Sequence, residues 1–174
     1  NPKAKSALDN FYARKDTLSL GVCNGCQLML ELGLISAQGE LQPMGHNESG
    51  KFESGYVTLN VEPNNSVMLK SLVGSKLGIW VAHGEGKFTL SGNEDDYGIA
   101  LKYSGHQYPA NPNGSNYHTA GLASEDGRHL AMMPHLERII FPWQAAHYPE
   151  DKKQEEVTPW FEAFVNAKKW VEKQ

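Results

Sequence analysis

Cysteine is scarce in this chain: there are two among 174 residues, Cys23 and Cys26, three positions apart. Such a pair cannot staple a small fold, so a disulfide framework is excluded and a reducing cytoplasm is the expected setting. A tetrahedral zinc site needs two more ligands, and the seven histidines show no paired ligand spacing, so no metal is expected. No apolar run approaches the roughly 20 residues of a membrane helix, and the start has no signal-like apolar segment. The sixteen Lys and Arg are scattered apart from pairs such as Lys152-Lys153 and Lys168-Lys169, which leaves no basic stripe for nucleic acid. There is no Gly-x-x-x-x-Gly-Lys-Ser/Thr loop and no acidic metal cluster, so the residues themselves imply no cofactor. Repeats and low-complexity segments are absent as well. With 40% hydrophobic residues, 21% charged residues and a net charge of −4, the chain reads as one soluble globular domain over residues 1–174.

The richest segment is Leu18-Ser-Leu-Gly-Val-Cys-Asn-Gly-Cys-Gln-Leu-Met-Leu30, a short apolar run, a cysteine between glycines, and an apolar helix-compatible stretch. It has the form of a nucleophile elbow, a tight strand-to-helix turn that exposes one side chain on strained backbone. Gly21 and Gly25 flank Cys23 where larger side chains are expected to crowd the turn. A thiol at a helix N-terminus is expected to ionise more readily than a free thiol, and the Asn24 N–H to face a developing oxyanion. An inert buried cysteine is the alternative, and Cys23-x-x-Cys26 adds weak redox and zinc readings. Cys26 is expected to face the core.

The rest reads as alternating elements. Asn1 opens an amphipathic helix through about Ala13, Thr17 to Val22 is a buried strand, and Gly25 to Leu32 a helix capped by Gly33. Strands are expected at Tyr56–Val61, Leu77–Ala82, Ile99–Tyr103 and Thr119–Ala123, with a turn at Pro63–Asn65, a short helix at Ser66–Val73 and a hairpin at Asp126-Gly127. A final helix from about Thr158 carries Pro159 in its first turn and Trp160, Phe161, Phe164, Ala167, Lys168 and Val171 on one face. A helix leading into a strand and elbow is mid-domain architecture, so earlier βα units are expected to precede Asn1.

Leu130-Ala-Met-Met-Pro-His-Leu-Glu-Arg138 is an apolar strand that delivers His135 and Glu137 at its end. Positions i and i+2 of extended chain point the same way, which sets a carboxylate beside an imidazole and leaves the other ring nitrogen for a thiolate. Pairing of Glu137 with Arg138, or a capping role, is the alternative. His83 and Glu85, on a Gly-flanked loop, form a rival pair, more simply read as an interface loop. His46 lies in the polar loop Gly45–Gly50. His106, His118, His129 and His147 read as surface or loop residues, and Phe141-Pro-Trp143 as packing or docking surface.

These residues together resemble the glutaminase domain of the phosphoribosylformylglycinamidine synthases, the large purine-biosynthesis amidotransferases. The resemblance rests on Gly21–Gln27, Ala82-His-Gly-Glu-Gly86, Tyr108-Pro-Ala-Asn-Pro-Asn-Gly-Ser115 and Met132–Arg138, in that order, with Thr158-Pro-Trp160 and Asn166-Ala167 in the closing helix. The first and last of the four longer motifs belong to class I glutaminases in general, and the two middle ones narrow the match to the purine enzyme. The resemblance implies an α/β fold, the flavodoxin-like open sheet of class I glutamine amidotransferases with its N-terminal βα units absent from this chain. It implies that Cys23 attacks the side-chain amide of glutamine, that His135 is acid and base, that Glu137 orients it, and that Asn24 and Gln27 line the substrate pocket. It also implies a synthetase domain as partner, where ATP and Mg²⁺ drive the amidination.

Leu136 stands where that family usually has proline, which is expected to loosen the backbone between His135 and Glu137 but to keep their geometry on a rigid strand, with activity surviving. The family's domain also has about a hundred residues before the position of Asn1 on the usual domain scale, including a glycine-rich loop with the other oxyanion N–H. Their absence predicts an exposed sheet edge, poor solubility and weak activity for the isolated segment. Two other readings remain open, a related cysteine hydrolase of the same superfamily and a non-catalytic docking module.

Overall fold

The computed structural model describes residues 1–35 and 38–174. Helix α1 (Pro2–Ala13) begins where the Asn1 side chain accepts hydrogen bonds from the amides of Lys3 at 3.1 Å and Ala4 at 3.4 Å. Pro2 occupies the first turn, where a missing N–H costs nothing. Thr17 does not open the next strand, as its pattern predicted, because its hydroxyl donates to the carbonyls of Phe11 (2.8 Å) and Arg14 (3.2 Å) and ties it to α1. Strand β1 is Ser19–Val22, and one residue later α2 (Asn24–Glu31) starts. Gly33 lies one position past the Leu32 cap with φ 63°, and the amides of Gly33 and Leu34 reach the carbonyls of Leu30 (3.0 Å) and Met29 (2.8 Å). This bond pair is a Schellman closure, which favours glycine at that position.

The other strands are β2 (Gly45–His46), β3 (Glu53–Val61), β4 (Lys76–His83), β5 (Glu85–Lys87), β6 (Ile99–Tyr103), β7 (Thr119–Ala123) and β8 (His129–Met132). Six of them form one sheet in the order β1-β8-β7-β6-β3-β4, and β2 pairs with β5 in a second ribbon. Only β1 and β8 run parallel; every other pairing among the described residues is antiparallel. The sheet curls until β4, at its far edge, returns to the end of β8, where the His135 amide donates to the Trp80 carbonyl at 2.8 Å. Both faces are covered, and β8 shows this by alternation. Leu130 and Met132 pack with Leu59, Val81 and Trp160 on one side, while Ala131 and Met133 pack with Cys26, Met29 and Phe88 on the other.

Several sequence expectations need correction. Ser66–Val73 is a run of turns rather than a helix: Val67 N–H goes to the Gly127 carbonyl at 2.8 Å, and Met68, Leu69 and Leu72 all turn inward. Eight residues give a helix little cooperative gain to set against such contacts. The closing element is a 3₁₀ turn, Pro159–Phe161, followed by α3 (Glu162–Val171). Its buried face is Trp160, Ala163 and Asn166, whereas Phe161, Phe164 and Val171 are exposed. The polar Asn166 hides the true face because its amide caps Met68 O (3.0 Å) and Ser71 Oγ (2.7 Å). His129 is not a surface residue; it is buried on β8, 2.9 Å from Ser19 Oγ and packed at a tilt against the Tyr12 ring. The segments around His46 and Glu85 are the β2–β5 ribbon rather than loops.

Candidate active site

Cys23 sits at the junction of two hydrogen-bonding systems. Its N–H extends the β1–β8 ladder to the Met132 carbonyl at 2.9 Å, and its own carbonyl accepts the Gln27 amide at 3.0 Å to begin α2. Meeting both demands puts Cys23 at φ 51°, ψ −105°, a conformation L-residues rarely adopt. Backbone strain of this kind costs about 1–3 kcal/mol and persists only where the surroundings enforce it. Of the two flanking glycines, Gly21 is the one that must be small: a Cβ there would overlap Met29 Sδ and the Gly25 backbone. Gly25 is open, with nothing within 4 Å of an added Cβ, so the predicted crowding holds on one side only.

The predicted ease of ionisation does not hold. Burial pushes the Cys23 thiol above its ordinary range, and the Asn24 N–H and the Arg138 charge pull it only part of the way back. The helix-terminus argument accounted for the favourable donors and omitted the desolvation. The thiol donates to the Ala82 carbonyl at 3.6 Å. Cys26 is fully buried on α2, and burial raises its thiol far more strongly.

His135 and Glu137 do meet, with Nδ1 2.7 Å from Oε1. The route differs from the one the sequence pattern implied. The strand stops at Met132, and His135 caps a 3₁₀ turn (Leu136–Arg138) that carries Glu137, so the pair does not share one face of extended chain. The pair's geometry is kept with Leu136 in that place, as expected, and the Leu136 side chain is fully buried in the core beneath the turn. Arg138 Nε approaches the same carboxylate oxygen at 3.6 Å, so the alternative pairing coexists with the first. A carboxylate only accepts, so Nδ1 carries the ring proton and Nε2 keeps a lone pair, buried and without a partner among the described residues. No hydrogen bond joins it to Cys23 here, although Cys23 and Met132 are linked and the charges of Glu137 and Arg138 are felt at the sulfur.

Gln27 projects from the first turn of α2, and its amide donates to the Glu85 carbonyl at 2.7 Å. With Asn24, Leu28, Glu31, Met44 and Glu85 it lines a cleft of about 300 Å³ beside the elbow. The rival pair is split: His83 turns into the interior toward Asn47, whereas Glu85 faces outward, 3.5 Å from His46. Sequence reasoning missed Asn47, Asn113 and Ser115 as individual residues. They hold the backbone of the His-Gly-Glu-Gly segment: Asn47 binds His83, and Asn113 Nδ2 donates to the Gly86 carbonyl at 2.5 Å. Ser115 Oγ accepts the Phe88 amide at 2.9 Å. The one available signal was that Asn113 and Ser115 sit inside the Tyr108–Ser115 motif and Asn47 in the polar loop after Gly45.

A family model described as the CobB/CobQ-like glutamine amidotransferase domain matches residues 1–171. The chain belongs to this family. The amidotransferase chain is 39% identical over 197 residues to the phosphoribosylformylglycinamidine synthase of Dictyostelium discoideum, covering 99% of this chain and 14% of that protein. It is 39% identical over 202 residues to the Homo sapiens protein of the same name, covering 98% of this chain and 15% of that one. The Arabidopsis thaliana relative, a probable chloroplastic/mitochondrial synthase, is 42% identical over 197 residues, with 99% and 14% covered. The chain thus spans about a seventh of the length of these relatives. The solved structure of PurLQS from Thermotoga maritima matches with a TM-score of 0.70 and 28% identity over 97% of this chain and 72% of that one. A putative GMP synthase protein from Thermoplasma acidophilum shares the fold at a TM-score of 0.55 and 13% identity, covering 99% of this chain and 64% of that one. The curled mixed sheet is therefore that of the glutamine amidotransferases. Among the described residues no helix is long and apolar enough to cross a membrane.

Proposed function

We propose that this chain is the glutaminase part of a phosphoribosylformylglycinamidine synthase, hydrolysing glutamine through Cys23, His135 and Glu137. The observation that carries the reading is a cysteine on strained backbone at the end of β1, beside the strand that leads into a buried His135 bonded to a half-exposed Glu137. Glutamine enters the cleft between α2 and the β2–β5 ribbon, with Gln27 and Asn24 at its wall. Because burial disfavours the free thiolate, the thiol proton passes to His135 Nε2 as sulfur attacks the amide carbon. The Asn24 N–H faces the oxyanion, and Glu137 stabilises the imidazolium through Nδ1. His135 returns the proton to the departing nitrogen, ammonia leaves, and a γ-glutamyl thioester remains. Water, deprotonated by His135, then releases glutamate.

In this reading ammonia passes to a synthetase domain, in the same polypeptide or a separate subunit, where ATP and Mg²⁺ drive amidination of formylglycinamide ribonucleotide in the cytoplasm. The test is glutamine-dependent ammonia release by the full-length protein and its Cys23→Ala variant. Release that the variant lacks supports the reading. Hydrolysis of peptide reporters in place of glutamine would favour a related hydrolase. Synthetase binding with no ammonia release in either form would favour a docking role. The resting thiol, bonded to Ala82 rather than to His135, is the observation on the docking side.

A further inference from the structure

The proposed reaction leaves two other buried imidazoles unused, His129 on β8 and His83 on β4, and of the two it is His83 whose strand also bonds the Cys23 thiol. His83 ends β4 and is 2% exposed. Its tautomer follows from its neighbour. The Asn47 amide nitrogen donates to the carbonyls of Lys51 (2.8 Å) and His83 (2.6 Å), which turns Oδ1 toward His83 Nδ1 at 2.9 Å. An amide oxygen only accepts, so Nδ1 carries the proton and Nε2 presents a lone pair. The ring is also held in place, because a Cβ on Gly86 would come within 2.5 Å of Nδ1 and 2.7 Å of Cε1. The Gly86 carbonyl is fixed in turn by Asn113, whose amide also reaches Tyr103 Oη at 3.1 Å. A ring held this firmly nonetheless leaves Nε2 buried with no partner among the described residues. Native structures rarely leave a buried acceptor orphaned without a reason.

The location supplies that reason. The backbone of β4 meets both residues of the proposed reaction: the Ala82 carbonyl accepts the Cys23 thiol, the Trp80 carbonyl accepts the backbone N–H of His135, and the His83 ring lies close enough to His135 to feel its charge. His135 Nε2 is likewise a buried, unpartnered ring nitrogen. We propose that His83 Nε2 is a second acceptor of the glutaminase reaction, taking a hydrogen bond from ammonia as it leaves and from water as it enters, and so orienting each toward His135. This rests on the glutaminase reading above. All proton transfer stays with His135. It protonates the amide nitrogen as the C–N bond breaks and the electron pair leaves on ammonia. It then takes a proton from water as oxygen bonds the thioester carbon, and gives that proton to sulfur as the C–S bond breaks, which restores the Cys23 thiol and frees glutamate. His83 exchanges no proton and only orients the donor. Burial suits it to that task by pushing its pKa down to about 4, with the His135 charge acting in the same direction, so the lone pair stays available at neutral pH.

The test compares kcat and KM for glutamine in the full-length protein and its His83→Leu and His83→Gln variants, together with Cys23 labelling by 6-diazo-5-oxonorleucine. That reagent uses the same pocket and nucleophile but expels dinitrogen, so it needs neither ammonia departure nor water entry. His83→Leu is expected to lower kcat about 10- to 100-fold, the magnitude of one hydrogen bond to a reacting group, with KM and labelling unchanged. His83→Gln, which keeps an acceptor oxygen, is expected to recover part of the loss. An unchanged kcat in both variants, or a fall in labelling and binding parallel to kcat, would overturn the proposal and leave His83 a structural residue. Failure of the unmodified protein to label at Cys23 would overturn the glutaminase reading itself.

Discussion

Cys23 combines a strained backbone with a thiol that burial keeps protonated, and the combination makes its reactivity depend on pH in a definite direction. Thiolate is the reacting form, so a raised pKa means that alkylation by neutral iodoacetamide without substrate keeps accelerating above the free-thiol value of about 8.5. A plateau below about pH 8 would contradict this. Cys26, enclosed by the core, is expected to stay unmodified until the protein unfolds. Glu137 fixes the His135 tautomer through a single 2.7 Å contact. Glu137→Gln should therefore lower kcat by about 10²–10⁴-fold with little change in melting temperature, since Glu137 is about half exposed.

The elbow as an element makes unequal demands on its two glycines. Gly21→Ala is expected to destabilise the fold by about 1–3 kcal/mol, because its methyl has to displace Met29 and the Gly25 backbone. Gly25→Ala, on a helix with open space around it, is expected to stabilise α2 by up to about 1 kcal/mol. Urea midpoints of the two variants moving in opposite directions would bear out this asymmetry, and equal losses would refute it. The 3₁₀ turn that carries the pair depends on a buried anchor in the same way. Leu136→Ala should cost about 2–5 kcal/mol and lower kcat as well, because the turn that joins His135 to Glu137 is seated by that side chain. Loss of stability without loss of kcat in the remaining folded protein would show that the turn holds without it.

Over the whole molecule, legibility followed the range of the interaction. The Cys23 elbow, the Asp126-Gly127 hairpin and most of the buried strand residues are local patterns of apolar spacing and turn residues and lie where those residues implied, while His135 and Glu137 meet as expected but across a 3₁₀ turn and not on extended chain. What stayed hidden depends on partners distant in sequence. Ser66–Val73 has helical spacing, yet a carbonyl from Gly127 takes the Val67 amide. His129 looks polar until Tyr12 and Ser19 enclose it. The face of α3 is masked by an asparagine that caps a turn 95 residues away. The curl that brings β4 to His135 has no local signature, and so the approach of the Ala82 carbonyl to the Cys23 thiol had none either. Gln27 was legible as a pocket residue only through resemblance, since its partner, the Glu85 carbonyl, lies 58 residues on.

The measurement that bears most directly on this account is intact-mass analysis after exposure to 6-diazo-5-oxonorleucine, on the full-length protein and its Cys23→Ala and Cys26→Ala variants. The account predicts one adduct on the unmodified protein and on Cys26→Ala, and none on Cys23→Ala. An adduct that survives Cys23→Ala, or no adduct on the unmodified protein, would contradict the assignment of Cys23 as the nucleophile of a glutamine site.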